Sequence, residues 1–325
     1  MSTINLAKNS APSSGGKERS RPPKSEKIKD GIPSQMFDVC NVITMIFILI
    51  VVLYPIINII AISFSSADHI AKANIGLIPK GFTVQAYKYV LQDIYVWKGY
   101  ANSIFYSLAS TFIMLLFTSM IAYALTVQDF MGKKFITIFL TITMFFSGGM
   151  IPTYLLFMNL HMLDTVWVMI LPGCVGAYNV FVFRTFFQSQ PGEMRESALI
   201  DGANDLVILF RIILPLSKAL LATFALFGIV GCWNSWFNAL LYLKDQDKYP
   251  VQLVLRNYLF VIDSATIQQR AGMGASLGNS LIADRIDPKG VRMAIVVVTM
   301  FPIMMIYPFF QKYFVKGVMI GAVKG

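Results

Sequence analysis

The chain has 325 residues, of which 56% are apolar and only 14% charged, and its formal charge is +10. A soluble domain carries about 25% charged residues, so this depletion, with the apolar residues clustered in runs, excludes an ordinary globular core. The positive balance does not indicate nucleic acid: much of it lies in the N-terminal tail and on short loops, as the positive-inside rule requires.

Residues 1–35 are rich in Ser, Pro, Lys and Gly. Such a segment buries too little apolar surface to order itself, and we expect a disordered cytoplasmic tail. It is no cleaved signal peptide, because the first apolar run begins near residue 42 and is too long. Six runs follow, roughly 42–62, 103–126, 136–158, 165–183, 219–241 and 293–311, all free of Asp, Glu, Lys and Arg. About 20 residues are needed to cross the hydrocarbon, so the pattern predicts six transmembrane helices within 36–325. A barrel would show alternating strands of about ten residues. Lys133 and Lys134 follow the second run, Arg184 and Arg195 the fourth, and Lys312, Lys316 and Lys324 the sixth. With six spans, all of these share the side of the tail, which places both termini in the cytoplasm.

Between the runs, segment 63–102 is expected outside, with TVQAYKYVLQDIYV (Thr83 to Val96) as an interfacial helix. FSGGMIP (Phe146 to Pro152) interrupts the third run; Gly148, Gly149 and Pro152 weaken a helix and imply a kink, close packing or a gate. Segment 242–292 is a long, charged outer loop. Cys40, Cys174 and Cys232 lie far apart in sequence, and His69 and His161 are isolated, so neither a disulfide framework nor a metal site is indicated.

ESALIDGANDLVILFRIILP (Glu196 to Pro215) stands apart. Pro191 suits a first helical turn, and Glu193 favours its positive end. Asp201-Gly202 breaks that helix, since Gly tolerates the left-handed conformation. Asn204 can cap a second helix from Asp205-Leu206. That helix would present Leu206, Leu209, Phe210 and Ile213 on one apolar face and end at Pro215. The product is a helix-turn-helix projection, within 187–217, on the inner side of the membrane. Its small residues Ser197, Ala198, Gly202 and Ala203 would let another protein approach closely.

The order Glu-Ser-Ala, three residues, Gly202, nine residues, Ile212-Ile213-Leu214-Pro215 resembles the Glu-Ala-Ala loop of permease subunits from ATP-binding-cassette (ABC) importers. Ser197 stands where Ala is usual. SGGMIPTYLL (Ser147 to Leu156), LPGCVGAYNVFVFRTFF (Leu171 to Phe187), GCWNSWFNALLYL (Gly231 to Leu243), YPVQLVLRNYL (Tyr249 to Leu259) and the ending VKGVMIGAVKG are similar to carbohydrate-uptake permeases. The likeness is greatest to the polysaccharide or oligosaccharide branch related to the maltose permease, and it spans 36–325.

This resemblance implies an all-α integral membrane protein, a type I ABC importer permease with six transmembrane helices and a cytoplasmic coupling loop. Glu196, Ser197, Ala198, Asp201, Gly202, Ala203, Phe210, Leu214 and Pro215 would meet a separate ATPase dimer. ATP and Mg would bind that partner, and no cofactor or metal would bind this chain. A second, related permease chain and an extracytoplasmic sugar-binding protein would complete the system. The binding protein would meet loop 242–292, and Gly321 to Gly325 would reach between the ATPase subunits.

The source of energy gives an independent argument. Ion-coupled carriers hold ionisable residues within their spans, and these runs have none; a phosphate-binding Gly-rich loop is also missing. The driving force therefore comes from a partner, and a passive pore would not need the inner projection. Sugars present C–H faces and hydroxyls, so a path needs aromatic planes with amide partners. Trp233, Asn234, Trp236 and Asn238, with Tyr178 and Asn179, are the candidates. Asn234 and Asn238 would share one helical face, and Trp233 and Trp236 another. A membrane-embedded sensor or scaffold without transport, and an ATP-driven exporter, are the alternatives.

Overall fold

The structure is a computed structural model that describes residues 32–270 and 287–322. The described residues are helical and hold no strand. Most of the expected tail, the middle of the expected outer loop 242–292 and the last three residues lie outside them.

Helix α1 covers Ile32–Ser63. Residues up to Leu53 form a unit of their own. From Met36 to Leu53 the apolar side chains, among them Ile43, Ile46, Phe47 and Ile50, are exposed, which is what a lipid-facing helix requires.

The second unit begins at Tyr54. Two short helices, α2 (Ala67–Ala71) and α3 (Gln85–Gln92), precede the long α4 (Ile94–Ala124). The interfacial helix expected across 83–96 is thus divided at Asp93, whose carboxylate caps α4 by accepting from the Tyr95 N–H at 2.8 Å. Helix α4 carries Ser103, Ser107, Thr111, Thr118 and Ser119 buried along its length. Small residues of this kind let membrane helices approach closely.

Helices α5 (Lys133–Phe145) and α6 (Met150–Asn159) replace the expected third span. The break falls where FSGGMIP predicts it: Gly149 has φ +82°, a left-handed conformation that favours glycine. The expected fourth span is also divided, into α7 (Trp167–Ile170) and α8 (Ala177–Gln188), with Gly173 at φ +82° between them. After the inner projection come α12 (Lys218–Trp233) and α13 (Phe237–Tyr242), so the expected fifth span breaks at 234–236. Helix α14 (Val251–Arg270) fills the first part of the expected outer loop, and α15 (Pro288–Ala322) closes the chain.

Among the described residues, three helices are long and apolar enough to cross a membrane, in α1, α4 and α15. A bent pair, Asp205–Leu216 with Lys218–Trp233, adds a fourth only if the two helices count as one span. The six runs are therefore not six unbroken helices. Apolar content alone could not show this, because Gly and Asn-Ser breaks are as uncharged as the helices around them.

Helix α4 is the axis of the second unit, with α8, α12 and α14 packed on it. Its contact with α12 is close at Gly228, where an added Cβ would lie 2.8 Å from Thr111 Oγ1 and 3.0 Å from Met114 Cε. Three apolar cores lie along the bundle. One joins the end of α4 to α8 and the inner projection through Tyr123, Phe183, Phe187, Ile208 and Phe224. Another joins α3, α14 and α15 through Val90, Val254 and Ile295. The third joins α4, α6, α7 and α13 through Tyr106, Phe157, Met169 and Tyr242.

Candidate coupling projection and sugar-facing break

The segment expected as a coupling projection is built from α9 (Gly192–Ile200), α10 (Asp205–Ile208), a wide π turn (Leu209–Ile213) and α11 (Leu214–Leu216). Gly202 has φ +79°. The reversal at the end of α9 is held by Gly202 N–H to Leu199 O at 3.1 Å and Ala203 N–H to Ala198 O at 2.9 Å. These bonds satisfy carbonyls that a helix end leaves without partners. The Asn204 side chain caps α10 by accepting from the Val207 N–H at 2.9 Å.

Pro215 does not end the helix, contrary to the expectation. The ring of a helical proline clashes with the carbonyl four residues back. Here the π turn lies directly before it and widens the backbone, so the helix continues to Leu216. The sharp turn comes at Ser217, where the axis bends by 83° into α12. Ser217 Oγ donates to Ile213 O at 2.7 Å and accepts from Gln190 Nε2 at 2.8 Å.

The π turn also changes which side chains face inward. Ile208, Leu209 and Ile213 are buried, whereas Leu206 and Phe210, expected on the same apolar face, are exposed. A turn wider than 3.6 residues shifts the register, so the simple helical period fails here. Leu206 and Phe210 instead join Leu199 and Ile200 as exposed apolar side chains. Glu196, Ser197, Asp201, Gly202 and Pro215 are also exposed, and Ala203 and Leu214 are half-buried. Ala198 is buried in the core rather than on the approachable surface, because it lies where α9 packs on the bundle.

One polar cluster links this projection to α4. The Tyr123 hydroxyl donates to Asp205 Oδ1 at 2.8 Å, and Arg195 Nη2 reaches the same oxygen at 3.4 Å. Arg195 Nε also donates to the Tyr123 oxygen at 3.4 Å. Sequence reasoning missed this cluster. Tyr123 and Asp205 are 82 residues apart, and no local pattern pairs them.

The second candidate region is the break at 234–236. Trp233 is not on an open path: it is buried, and its Nε1 donates to Thr299 O at 3.3 Å. A buried indole N–H needs an acceptor, and the adjacent α15 backbone supplies it. Asn234, Trp236 and Asn238 are exposed. Because the helix is interrupted, the four-residue and three-residue relationships expected among these side chains do not hold. Helix α14 supplies the partners that were missed. Gln252 Nε2 donates to Asn234 Oδ1 at 3.4 Å, and the Arg256 guanidinium carbon lies 5.1 Å from the Trp236 ring centre. The i,i+4 spacing of Gln252 and Arg256 was a visible signal of one shared face. Tyr178 and Asn179 open α8 instead. Tyr178 is exposed, and Asn179 Nδ2 lies 3.8 Å from Met114 Sδ. Among the described residues, no hydrogen bond or ring contact joins them to the break.

Beside this region, Asp164 fastens the strand of chain that follows α13. Its Oδ1 accepts from the N–H groups of Lys244 and Asp245, both at 3.1 Å, and Lys248 Nζ lies 3.4 Å from Oδ2. The Asp245 N–H, then those of Lys244 and the Lys248 ammonium, hold this carboxyl below the usual carboxylate range. His69 Nδ1 is bonded to Ser66 Oγ at 2.9 Å, and the described residues contain no metal-binding cluster of His, Cys, Asp and Glu.

No family model matches the chain. It is 39% identical to the protein LplC of Bacillus subtilis over 291 residues, which cover 90% of this chain and 96% of that one. It is 37% identical to the polygalacturonan/rhamnogalacturonan transport system permease YtcP of Bacillus subtilis, covering 86% of this chain and 95% of the relative. It is 30% identical to the arabinooligosaccharides transport system permease AraQ of Halalkalibacterium halodurans, covering 86% and 94%. A crystal structure of a bacterial ABC transporter involved in import of the acidic polysaccharide alginate superposes with a TM-score of 0.79. That match has 30% identity and covers 88% of this chain and 99% of the other.

The chain belongs to the carbohydrate ABC-transporter permeases. It is a membrane permease subunit of an ATP-driven importer of oligosaccharide or polysaccharide, not a sensor or scaffold. The permease is not an enzyme, and ATP hydrolysis belongs to a separate subunit. Its relatives are components of multi-subunit sugar import systems.

Proposed function

We propose that the permease crosses the cytoplasmic membrane six times, with both termini in the cytoplasm. The broken pairs α5–α6, α7–α8 and α12–α13 each contribute one crossing. The projection from Glu196 to Pro215 is then a cytoplasmic coupling element seated in a cleft of the ATPase dimer. A second, related permease chain completes the pore, and an extracytoplasmic binding protein delivers the sugar. ATP and Mg bind the ATPase, and this chain holds no cofactor.

The observation that carries this reading is the surface of the projection. Ile200, Leu206 and Phe210 are exposed beside the acidic Glu196 and Asp201. Apolar side chains presented this way mark a contact surface. Their backs are anchored in the bundle core through Ala198, Ile208 and Leu209, so a push on the projection moves the spans as a rigid body. The sugars named for its relatives include acidic polymers, alginate and polygalacturonan, and also arabinooligosaccharides.

ATP-dependent uptake by reconstituted complexes carrying Gly202→Trp or Glu196→Lys tests the coupling assignment. Both substitutions are expected to abolish most uptake. Normal uptake by both would refute it.

A further inference from the structure

The break between α12 and α13 and the first turns of α14 bring four side chains of matching chemistry together. The Arg256 guanidinium lies over the Trp236 ring at 5.1 Å. One helical turn earlier, Gln252 Nε2 bonds Asn234 Oδ1 at 3.4 Å. Trp236 is 40% exposed, and Asn234 is exposed as well. Among the described residues the ion pairs are Lys98–Asp247, Arg195–Asp205 and Lys248 with Asp164 and Asp245. Arg256 has no carboxylate partner among them.

An arginine in this setting has a specific capacity. Its planar fork of N–H donors matches a carboxylate in a two-point contact, which lysine cannot reproduce. A cation–π contact with an indole face positions the guanidinium. A cation with no counter-charge is disfavoured against lipid and stable beside a water-filled cavity. The indole face and the two amides suit the C–H faces and hydroxyls of a sugar ring. A neutral sugar would leave the guanidinium without a counter-charge, whereas an anionic one would supply it.

We propose that Arg256, positioned by Trp236, binds the carboxylate of an acidic oligosaccharide, while Asn234 and Gln252 contact its hydroxyls. The proposal rests on the reading of this chain as a sugar permease with its α12–α14 face on the path. It makes Arg256 a specificity-determining residue for uronic-acid-containing saccharides.

The test uses the complete importer in proteoliposomes with its binding protein, comparing wild type, Arg256→Gln and Arg256→Lys. The probes are oligogalacturonate, oligomannuronate and their methyl esters, and the readout is kcat/KM for uptake. The binding protein is common to all measurements, so variant-to-wild-type ratios isolate the permease. Arg256→Gln is expected to lose roughly tenfold or more on an acidic probe, the value of a charged hydrogen bond, and about twofold on its ester. Arg256→Lys, which keeps the charge, should retain more acidic uptake than Arg256→Gln. Equal loss on acid and ester, as a structural contact or an ion pair with the second permease would give, overturns the proposal. So does no loss on either, or wild-type uptake of esters alone. Wild-type complexes that hydrolyse ATP and move no saccharide would overturn the sugar-permease reading itself.

Discussion

The Tyr123 hydroxyl donates to Asp205 Oδ1 at 2.8 Å and so ties the last turn of α4 to the first turn of α10. Helix α4 is the axis on which α8, α12 and α14 pack. The bond therefore connects the proposed coupling projection directly to the element that the other helices share. Arg195, bonded to both groups, adds the first turn of α9 to the same point.

If this link carries motion, Tyr123→Phe should lower the sugar moved per ATP hydrolysed. At this exposure the bond is worth about 1 kcal/mol, or about fivefold in an equilibrium. Uptake and ATP hydrolysis measured in the same proteoliposomes give the ratio. Arg195→Gln should have a smaller effect, because an ion pair at 3.4 Å between partly exposed groups contributes little. Uptake and hydrolysis that fall together would show that Tyr123 serves folding alone.

The α4–α12 contact makes a sharper stability prediction. Gly228→Val places a Cβ 2.8 Å from Thr111 Oγ1, where the Thr111 side chain or one of the two helices must shift. Overpacking of this kind costs about 1–3 kcal/mol. Gly231→Val, three residues on, has nothing within 4 Å of its added Cβ and should be neutral or slightly stabilising, because Val is a better helix former than Gly. Thermal unfolding in detergent should separate the two, with Gly228→Val melting several degrees lower. Equal melting temperatures would remove the close contact from the account.

Asp164 makes the C-terminal end of α13 sensitive to acid. Its folded carboxyl titrates below the unfolded one, because backbone N–H groups and Lys248 favour the charged form. Its contribution is therefore fully present above the ordinary carboxylate pKa and is lost as pH falls through the depressed folded value. Amide exchange at Lys244 and Asp245, corrected for intrinsic rates, should be slow near neutral pH and lose protection in acid. Asp164→Asn should show weakened protection at neutral pH already. Protection that is independent of pH in the wild type would contradict the anchor.

Much of the inner projection was legible locally. Gly202 and Asn204 act through hydrogen bonds to residues at most five positions away, so their turn and cap roles follow from residue type and spacing. The break at Gly149 was legible for the same reason. Trp233 was not: whether an indole lies on a path or in a core depends on the α15 carbonyl of Thr299, which is 66 residues away. Phe210 misled because the π turn that contains it has no signature of its own beyond the proline that follows it, and Leu206 because α10 packs on the bundle through Ile208 instead.

The amino-acid order by itself determined that the chain lives in a membrane, that its spans carry no charge to drive transport, and that a capped turn interrupts them on one side. Those properties depend on burial cost and on local hydrogen bonding, which neighbouring residues decide. Only the tertiary structure decided that Tyr123 holds Asp205, that Arg256 lies over Trp236, and that Ala198 and Trp233 are interior. Each of these depends on which distant helices meet, and in an apolar bundle many pairings bury similar surface, so close steric fit makes the choice.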